Sequence, residues 1–199
     1  MSQISEPTQN NADPIKFLDS IENHKHIVMF YEEPEWAQTI GFEFLKNGLE
    51  KGEHCIYAMM DDIEIVKENM SDYGIDVDKF LNNNLLHIYK IPDSYDYSKD
   101  PIEEAKKFWK KVMSDTIPPL RIFSTFTREL HQKDAIECQT RIEEYLDSQF
   151  DKIQGTWICP YNVTNIESGN RFKWIKKLIS SHKSVIFAPS MEQGTAFDL

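Results

Sequence analysis

Residues 26–31, HIVMFY, run directly into residues 32–37, EEPEWA, and this junction decides how the rest of the chain is interpreted. A short apolar run followed by an acidic segment with a proline is typical of a buried strand that leads into a helix. In α/β folds the carboxyl end of such a strand is a common position for a ligand. The sequence therefore predicts an α/β domain whose first strand ends beside a binding crevice.

The same junction argues against a phosphate-binding loop. Such loops use glycines and a lysine, because bare backbone N–H groups and an ammonium must approach the phosphate oxygens. Between Tyr31 and Ile40 the sequence has neither glycine nor lysine. The carboxylates of Glu32, Glu33 and Glu35 would repel a phosphate, although each one also suits the start of an ordinary helix. We predict no binding of a nucleoside triphosphate by a P-loop.

Composition sets the class of protein. The chain has 199 residues, of which 40% are hydrophobic and 12% aromatic, and this fits one domain with a substantial core. Its 22 basic and 33 acidic residues give a net charge of -11, which makes nucleic acid a poor candidate partner because binding it requires a basic face. No apolar run approaches the ~20 residues needed to span a bilayer, and the N-terminus lacks a signal-peptide pattern. We predict a cytoplasmic protein with no direct nucleic-acid partner and no membrane partner.

The cysteines and histidines give no signature of a metal site or of a nucleophile. Cys55, Cys138 and Cys159 lie far apart without a CxxC pair, which argues against a structural zinc and against a disulfide framework. Cys55 and Cys159 lie within predicted strands and are interpreted as inert core thiols. His24 and His26 have no partner that spacing reveals. The sequence predicts no metal, no cofactor and no catalytic residues.

Apolar patterning and turn residues alternate strands with helices along the chain. Residues 1–13 are polar and are predicted to be a disordered tail, and residues 14–199 are predicted to form a single domain. The polar segment from 92 to 100 is predicted to be a surface loop, and the segment after Pro189 a polar tail. The alternation predicts parallel strand pairing with right-handed crossovers. Strands are predicted at 26–31, 54–59, 85–89, 120–126, 156–159 and 184–188, and helices at 15–21, 34–49, 61–73, 76–81, from 101, at 133–150 and at 164–180.

Residues just past the carboxyl ends of parallel strands share one crevice. These positions contain aromatic and sulfur-bearing side chains with a few hydrogen-bonding groups, which suits a small, largely apolar ligand. Trp36 also shares a helical seam with Ile40 and Phe44, so packing into the core is the alternative for that residue. The predicted ligand-binding residues are Tyr31, Glu33, Trp36, Met60, Tyr89, Thr125, Tyr161 and Asn162.

Longer segments carry a family resemblance that covers residues 24–188. Two of them resemble the second-strand region of the KaiC/RecA-like ATPases, and all five together more closely resemble the MEDS domain, the sensory domain named from methanogens, methylotrophs and the regulator DcmR. The five segments are FLKNGLEKGEHCIYAMMDD at 44–62, YGIDVDKFLNNNLLHIYK at 73–90, HIVMFY at 26–31, TWICPYN at 156–162 and LISSHKSVIF at 178–187.

The resemblance implies a three-layer RecA/KaiC-like fold, with a mostly parallel sheet, helices on both faces and a degenerate P-loop. Trp-Ala-Gln at 36–38 stands where the ATPases carry Gly-Lys-Thr, and the aspartate expected for magnesium at the end of the fourth strand is absent. The acidic residues that the family tends to show after the fourth strand and in the next helix correspond here to Thr125 and Gln139. Asn162 replaces an aspartate.

Three functions follow from these observations. The resemblance implies a non-catalytic sensory domain that binds a small, largely apolar molecule, such as a hydrocarbon derivative. Because no kinase or helix-turn-helix segment fits within the sequence, the expected partner is a separate signalling protein, either a histidine kinase or a transcription regulator. The alternative is a degenerate KaiC-like interaction module without a ligand, which docks through its acidic surface. A residual enzyme is the third function.

Overall fold

The computed structural model describes six ranges of the chain: 13–21, 24–91, 100–125, 133–166, 168–191 and 193–199. In these ranges, seven strands form one sheet with helices on both faces. The predicted tail lies outside the described residues except for Asp13, and the loop predicted at 92–100 lies outside them except for Asp100.

Most elements begin and end close to their predicted positions. The strands are β1 His26–Tyr31, β2 His54–Met59, β3 Leu86–Lys90, β4 Leu120–Ser124, β5 Gly155–Asn162, β6 Ser184–Ser190 and β7 Gln193–Asp198. The helices are α1 Pro14–Asp19, α2 Pro34–Glu50, α3 Ile63–Asp72, α4 Val77–Asn82, α5 Pro101–Ser114, α6 Lys133–Gln149 and α7 Arg171–Ser180, with short 3₁₀ helices at Phe150–Lys152 and Val163–Asn165.

Aspartates begin four of these helices, the first being Asp13, whose side chain accepts from the N–H groups of Ile15 and Lys16 in α1. The side chains of Asp62, Asp76 and Asp100 each accept a hydrogen bond from a backbone N–H in the first turn of the following helix. This satisfies a donor that the helix itself leaves free. Gly74 follows α3 with a φ of +93°, a conformation that glycine adopts without steric cost. These caps explain why the helices begin close to their predicted positions.

The strand order is β3-β2-β4-β5-β1-β6-β7, and all pairs are parallel except β6 with β7. Helices α1 to α4 pack on one face of the sheet, and α5 to α7 pack on the other. Successive side chains of β1 divide between the two faces, so that Ile27 and Met29 contact the first layer while Val28 and Phe30 contact the second. The three-layer, mostly parallel architecture is the one expected from the sequence.

The fifth strand is longer than predicted, because it continues through Pro160 to Asn162. The backbone N–H of Trp157 points toward β1, so the N–H groups at even positions of β5 face β4. The paired register with β4 ends at Ile158. An N–H group at position 160 would point toward β4, where the ladder of hydrogen bonds has already ended. Because proline lacks only this N–H, it does not end the strand.

Two further predictions about the C-terminal third are wrong. The helix predicted at 164–180 begins only at Arg171, because the chain is extended at Ile166, whose side chain is buried. The segment after Pro189 is not simply a polar tail, since it forms β7, antiparallel to β6. Backbone pairing and the burial of Ala196 hold this strand in place without an apolar run that a sequence pattern would reveal.

Candidate functional site

A pocket of about 440 Å³ lies at the carboxyl ends of β1, β2, β4 and β5, beside the start of α2. We call it the edge pocket. Its wall combines aromatic rings, two methionines and prolines with amides, a hydroxyl and two carboxylates. The lining residues are Tyr31, Pro34, Glu35, Ala37, Gln38, Tyr57, Met59, Met60, Asp61, Asn69, Phe123, Thr125, Pro160, Asn162 and Asn165.

Four of the eight predicted site residues line the edge pocket: Tyr31, Met60, Thr125 and Asn162. They come from the ends of four different strands, as a crevice at the edge of a parallel sheet requires. The side chain of Thr125 is almost fully buried, and its Oγ1 has no hydrogen-bond partner among the described residues. Thr125 thus brings to the wall of the pocket a buried hydroxyl that is unpaired among the described residues.

The structure places the other four predicted residues elsewhere. Glu33 is exposed and precedes α2 without a side-chain cap. Trp36 is half-buried and packs against the core on the α1–α4 face. Tyr161 and Tyr89 lie on the opposite face of the sheet, where the Tyr89 ring meets Phe108 edge-on.

Strand periodicity explains the misplacement of Tyr161. Because β5 extends through Asn162, Tyr161 is still a strand residue, and it pairs with Phe30 on the adjacent strand. Adjacent residues in a strand point to opposite faces, so Tyr161 and Asn162 do not share one crevice. An error of three residues in the predicted strand end was enough to assign both of them to one crevice.

Sequence reasoning missed several residues of the pocket that bond one another. Asn69 Nδ2 donates to Gln38 Oε1 over 3.2 Å, and the hydroxyl of Tyr57 donates to Asp61 Oδ2 over 3.0 Å. Burial raises the pKa of the Tyr57 hydroxyl above its ordinary value, with Asp61 adding to the shift, so this group remains a donor. Tyr57 lies two residues before Met59 on the same face of β2, a spacing that could have identified it.

The junction between β1 and α2 is closed by backbone bonds. The N–H groups of Glu32 and Glu33 donate to the carbonyl of Pro189 over 3.3 and 3.0 Å, and Asn162 Nδ2 donates to the carbonyl of Glu32 over 3.3 Å. These contacts tie the end of β1 to β6 and to the end of β5. Amide groups that a phosphate-binding loop would present to a ligand are therefore engaged within the protein.

A second polar group of residues lies on the opposite face of the sheet. His26 at the start of β1, Glu143 on α6, Cys159 on β5 and His182 just after α7 are all buried. One nitrogen, oxygen or sulfur atom from each of them lies within 4.8 Å of those of the others. We call these four residues the buried cluster.

Glu143 is the centre of the buried cluster. Its Oε2 lies 3.7 Å from His26 Nε2 and 3.5 Å from His182 Nε2. Cys159 Sγ lies 3.6 Å from His26 Nε2. The nitrogen–oxygen separations are longer than hydrogen bonds, so the two imidazoles and the carboxylate face one another without bonding.

The atoms behind this centre are well bonded. Glu143 Oε1 accepts from Gln139 Nε2 over 2.9 Å and from the hydroxyl of Tyr161. His182 Nδ1 lies 2.6 Å from the carbonyl oxygen of Leu178. A carbonyl only accepts, so Nδ1 carries the proton and the Nε2 of His182 presents a lone pair to the cluster.

Burial determines the protonation states in the cluster. It lowers the pKa of His26 and of His182 to about 4 in each case. It raises the pKa of the Cys159 thiol and of the Tyr161 hydroxyl well above their ordinary values, with Glu143 adding to both shifts. At neutral pH both imidazoles are neutral and the thiol keeps its proton.

Spacing gave no sign of this cluster, because its members are far apart in sequence and join only when β1, β5 and α6 pack together. His26, which had no visible partner in the sequence, lies in the middle of these contacts. Glu143 is one helical turn beyond Gln139, on the same side of α6, and supplies a carboxylate to the helix after the fourth strand.

No described helix is both long enough and apolar enough to cross a membrane. Among solved structures, a KaiC-like protein from the hyperthermophilic archaeon Pyrococcus horikoshii OT3 is similar, with a TM-score of 0.59 and 10% sequence identity. The likeness covers 87% of this chain and 74% of that protein, and it shows the fold alone. No curated protein matches the sequence. The family model described as "MEthanogen/methylotroph, DcmR Sensory domain" matches residues 25–182, so the chain belongs to the MEDS family of sensory domains.

Proposed function

We propose that this MEDS domain is a non-catalytic sensor that binds a small, largely apolar molecule in the edge pocket. The observation that carries the proposal is the buried hydroxyl of Thr125, unpaired among the described residues, at a pocket whose wall includes three aromatic rings and two methionines. A buried polar group without a partner is costly, and an occupant that bonds it removes that cost. The signal would pass to a separate signalling protein, a histidine kinase or a transcription regulator.

The lining chemistry narrows the class of ligand. Tyr31, Met59 and Phe123 provide apolar contact, while Thr125 and the Gln38–Asn69 pair provide a few hydrogen-bonding groups. Among the lining residues in the described ranges there is no lysine, arginine or histidine. We therefore infer a neutral molecule, such as a short alcohol, ketone or haloalkane, rather than a phosphate or carboxylate.

The same residues support a binding role without turnover. Nucleophilic catalysis requires a nucleophile activated by a neighbouring base. The phenol of Tyr57, which has a carboxylate beside it, is a hydrogen-bond donor whose pKa is raised by burial, which is the opposite of activation. The pocket as described is built to hold a molecule rather than to ionise one.

The first test removes the pocket volume. Purified protein is screened by native mass spectrometry for a retained molecule and by thermal shift against short alcohols, ketones and haloalkanes. A ligand at a hundred times its dissociation constant adds ~2.7 kcal/mol to the free energy of unfolding. Met59→Trp fills the half-buried wall of the pocket and should abolish that gain, whereas Met191→Trp, at an exposed position outside the lining, should keep it.

The second test removes the hydroxyl alone. Thr125→Val should fold normally and bind the same compound ~10-fold more weakly, the loss expected for one hydrogen bond. Thr195→Val is the matched control, because its Oγ1 is also buried and unpaired but lies on β7 outside the pocket lining. A screen with no binding compound would favour the interaction module, and binding that survives Met59→Trp would place the ligand elsewhere.

A further inference from the structure

The buried cluster is not used by the proposed ligand pocket, and its chemistry is distinctive. It brings together two imidazoles, one thiol and one carboxylate, which are the side chains that bind zinc in proteins. All four side chains are withdrawn from solvent: His26 is 0% exposed, Glu143 and Cys159 are 1% exposed, and His182 is 4% exposed. Polar groups this deeply buried need partners.

Three atoms in the cluster have none among the described residues: Glu143 Oε2, His182 Nε2 and His26 Nδ1. The first two of these face each other. Because His182 Nδ1 is bonded to the Leu178 carbonyl, the Nε2 atom is an acceptor that faces a carboxylate oxygen, which is also an acceptor. A cation bound between the two acceptors satisfies both of them.

The distances match a tetrahedral metal centre. With Zn–N and Zn–O bonds of ~2.0–2.1 Å and a Zn–S bond of ~2.3 Å, tetrahedral angles place N and O ligand atoms ~3.3 Å apart and S and N atoms ~3.6 Å apart. The observed separations are 3.5 and 3.7 Å from Glu143 Oε2 to the two imidazoles. The separation from Cys159 Sγ to His26 Nε2 is 3.6 Å. The ligand atoms of all four residues lie within 4.8 Å of one another.

The residues behind the ligands hold them in the orientation that a metal requires. Tyr161 and Gln139 both bond Glu143 Oε1, which leaves Oε2 turned toward the imidazoles. The Leu178 carbonyl fixes the tautomer of His182, and Asp147 Oδ1 lies 3.8 Å from His26 Nδ1 on the far side of that ring. Metal-binding histidines and carboxylates in proteins are supported by hydrogen bonds of this kind, which His182 and Glu143 have here, whereas His26 Nδ1 has no such bond among the described residues.

The charges also balance. A divalent metal ion, one carboxylate, one thiolate and two neutral imidazoles sum to zero, which allows the centre to lie in an apolar core. The Cys159 thiol loses its proton to solvent as the metal–sulfur bond forms, and no electron is transferred. Without the metal, the same residues leave unpaired acceptors in the core.

We propose that His26, Glu143, Cys159 and His182 bind one divalent transition-metal ion, zinc by ligand type, in a closed four-ligand site. Four protein ligands leave no open position, so the ion has a structural role rather than a catalytic one. It joins β1, β5 and α6 to the segment between α7 and β6. The assignment is independent of the edge pocket and of any ligand bound there.

The test uses the full chain, purified without a histidine tag. Metal analysis should find close to one zinc per chain. Protein that is unfolded in guanidinium with a chelator, freed of the chelator and refolded with Co²⁺ should show the visible bands of tetrahedral cobalt and a near-ultraviolet thiolate-to-cobalt band. Background metal content together with a refolded protein that lacks both cobalt signals would overturn the proposal.

Variants assign the ligands by spectrum as well as by stability. Cys159→Ser should lose the thiolate-to-cobalt band, whereas Cys55→Ser should keep it, because Cys55 is equally buried but bonds the Leu45 carbonyl on the other face. Tyr161→Phe should weaken metal affinity ~10–100-fold while keeping the cobalt spectrum, as loss of a supporting residue does. An unchanged thiolate band in folded Cys159→Ser would exclude that cysteine and overturn the four-ligand site.

Discussion

The edge pocket and the buried cluster differ in how their polar groups are satisfied. They lie on opposite faces of the sheet and at opposite ends of β1, with Tyr31 at the pocket and His26 in the cluster. In the pocket, Tyr57 bonds Asp61 and Asn69 bonds Gln38, so most polar groups are paired within the protein. In the cluster, the acceptors face one another and are buried. Under the two proposals, the pocket exchanges its occupant, whereas the cluster holds an ion that stays.

The largest expected effect tests whether buried charged side chains on the pocket face of the sheet are paired with one another. Arg121 is buried on that face, donates from Nε to Glu53 Oε2 over 2.6 Å and donates from Nη1 to the Phe44 carbonyl over 3.0 Å. Arg121→Met leaves the Glu53 carboxylate buried without its partner, which should cost ~3–5 kcal/mol in the free energy of unfolding by denaturant.

The matched control is the exposed ion pair of Arg141 with Asp100, whose atoms are 3.7 Å apart. Arg141→Met should change the free energy of unfolding by ~0–1 kcal/mol, since solvent screens that pair. Equal effects of the two substitutions would show that the buried Arg121–Glu53 pair contributes no more to the free energy of unfolding than an exposed pair. That result would contradict the prediction.

A smaller effect is expected at Trp36, which lies beside the pocket without lining it. Its ring is half-buried and packs against the core of the α1–α4 face, and its Nε1 is buried without a partner among the described residues. Full burial of a tryptophan makes truncation cost ~3–5 kcal/mol, so for a half-buried ring we expect ~2 kcal/mol for Trp36→Ala.

Trp36→Phe should be nearly neutral, because it keeps most of the ring contact and removes the unpaired donor. Denaturant melts measure both variants. Affinity for any compound found in the screen should be unchanged in Trp36→Phe. A selective loss of binding in that variant would show that Trp36 contributes to the ligand site.

The smallest effect concerns a second pair of histidines, His54 and His87. Their ring nitrogens lie within hydrogen-bond distance of partners, whereas His182 Nε2 in the buried cluster has none among the described residues. His54 Nδ1 and His87 Nε2 are 3.2 Å apart, and His87 Nε2 is 3.1 Å from the Asn84 carbonyl. Burial lowers the pKa of both residues, and the proximity of His54 lowers that of His87 further.

A lowered pKa in the folded state means that the unfolded chain takes up protons first as the pH falls. The contribution of the pair to stability is therefore complete above the unfolded value of ~6.5 and is lost progressively below it. His87→Gln should flatten the fall in the free energy of unfolding between neutral and mildly acidic pH. The buried cluster is present in both proteins, so the difference between their curves isolates this pair, and identical curves would contradict the prediction.

The sequence predicted the sheet because its strands are short apolar runs bounded by turns, and because aspartates mark the helix starts. It brought four of the eight predicted site residues to the pocket for the same reason, since strand ends meet at one edge. Tyr161 was misplaced because a small error in a strand end moves a residue to the other face. Residues such as Asn69, which reaches the pocket from α3, have no local signal.

The buried cluster was beyond sequence reasoning for a different physical reason. Metal sites with short spacing, such as a CxxC pair, place two ligands on one turn, and that spacing is visible in the sequence. Here each residue comes from a different element, so proximity depends entirely on tertiary packing. The interpretation of Cys159 as an inert core thiol rested on its strand position alone, and the structure adds the histidines and the glutamate around it.

The position of β1 in the middle of the sheet has a consequence for how the protein is made. Its two neighbours, β5 and β6, are formed by residues 155–162 and 184–190, close to the end of the chain. A ribosome releases the apolar segment HIVMFY long before either neighbour exists, and during that interval both of its backbone edges are open to other chains. The first of these seven strands to be synthesised is thus among the last to be fully paired.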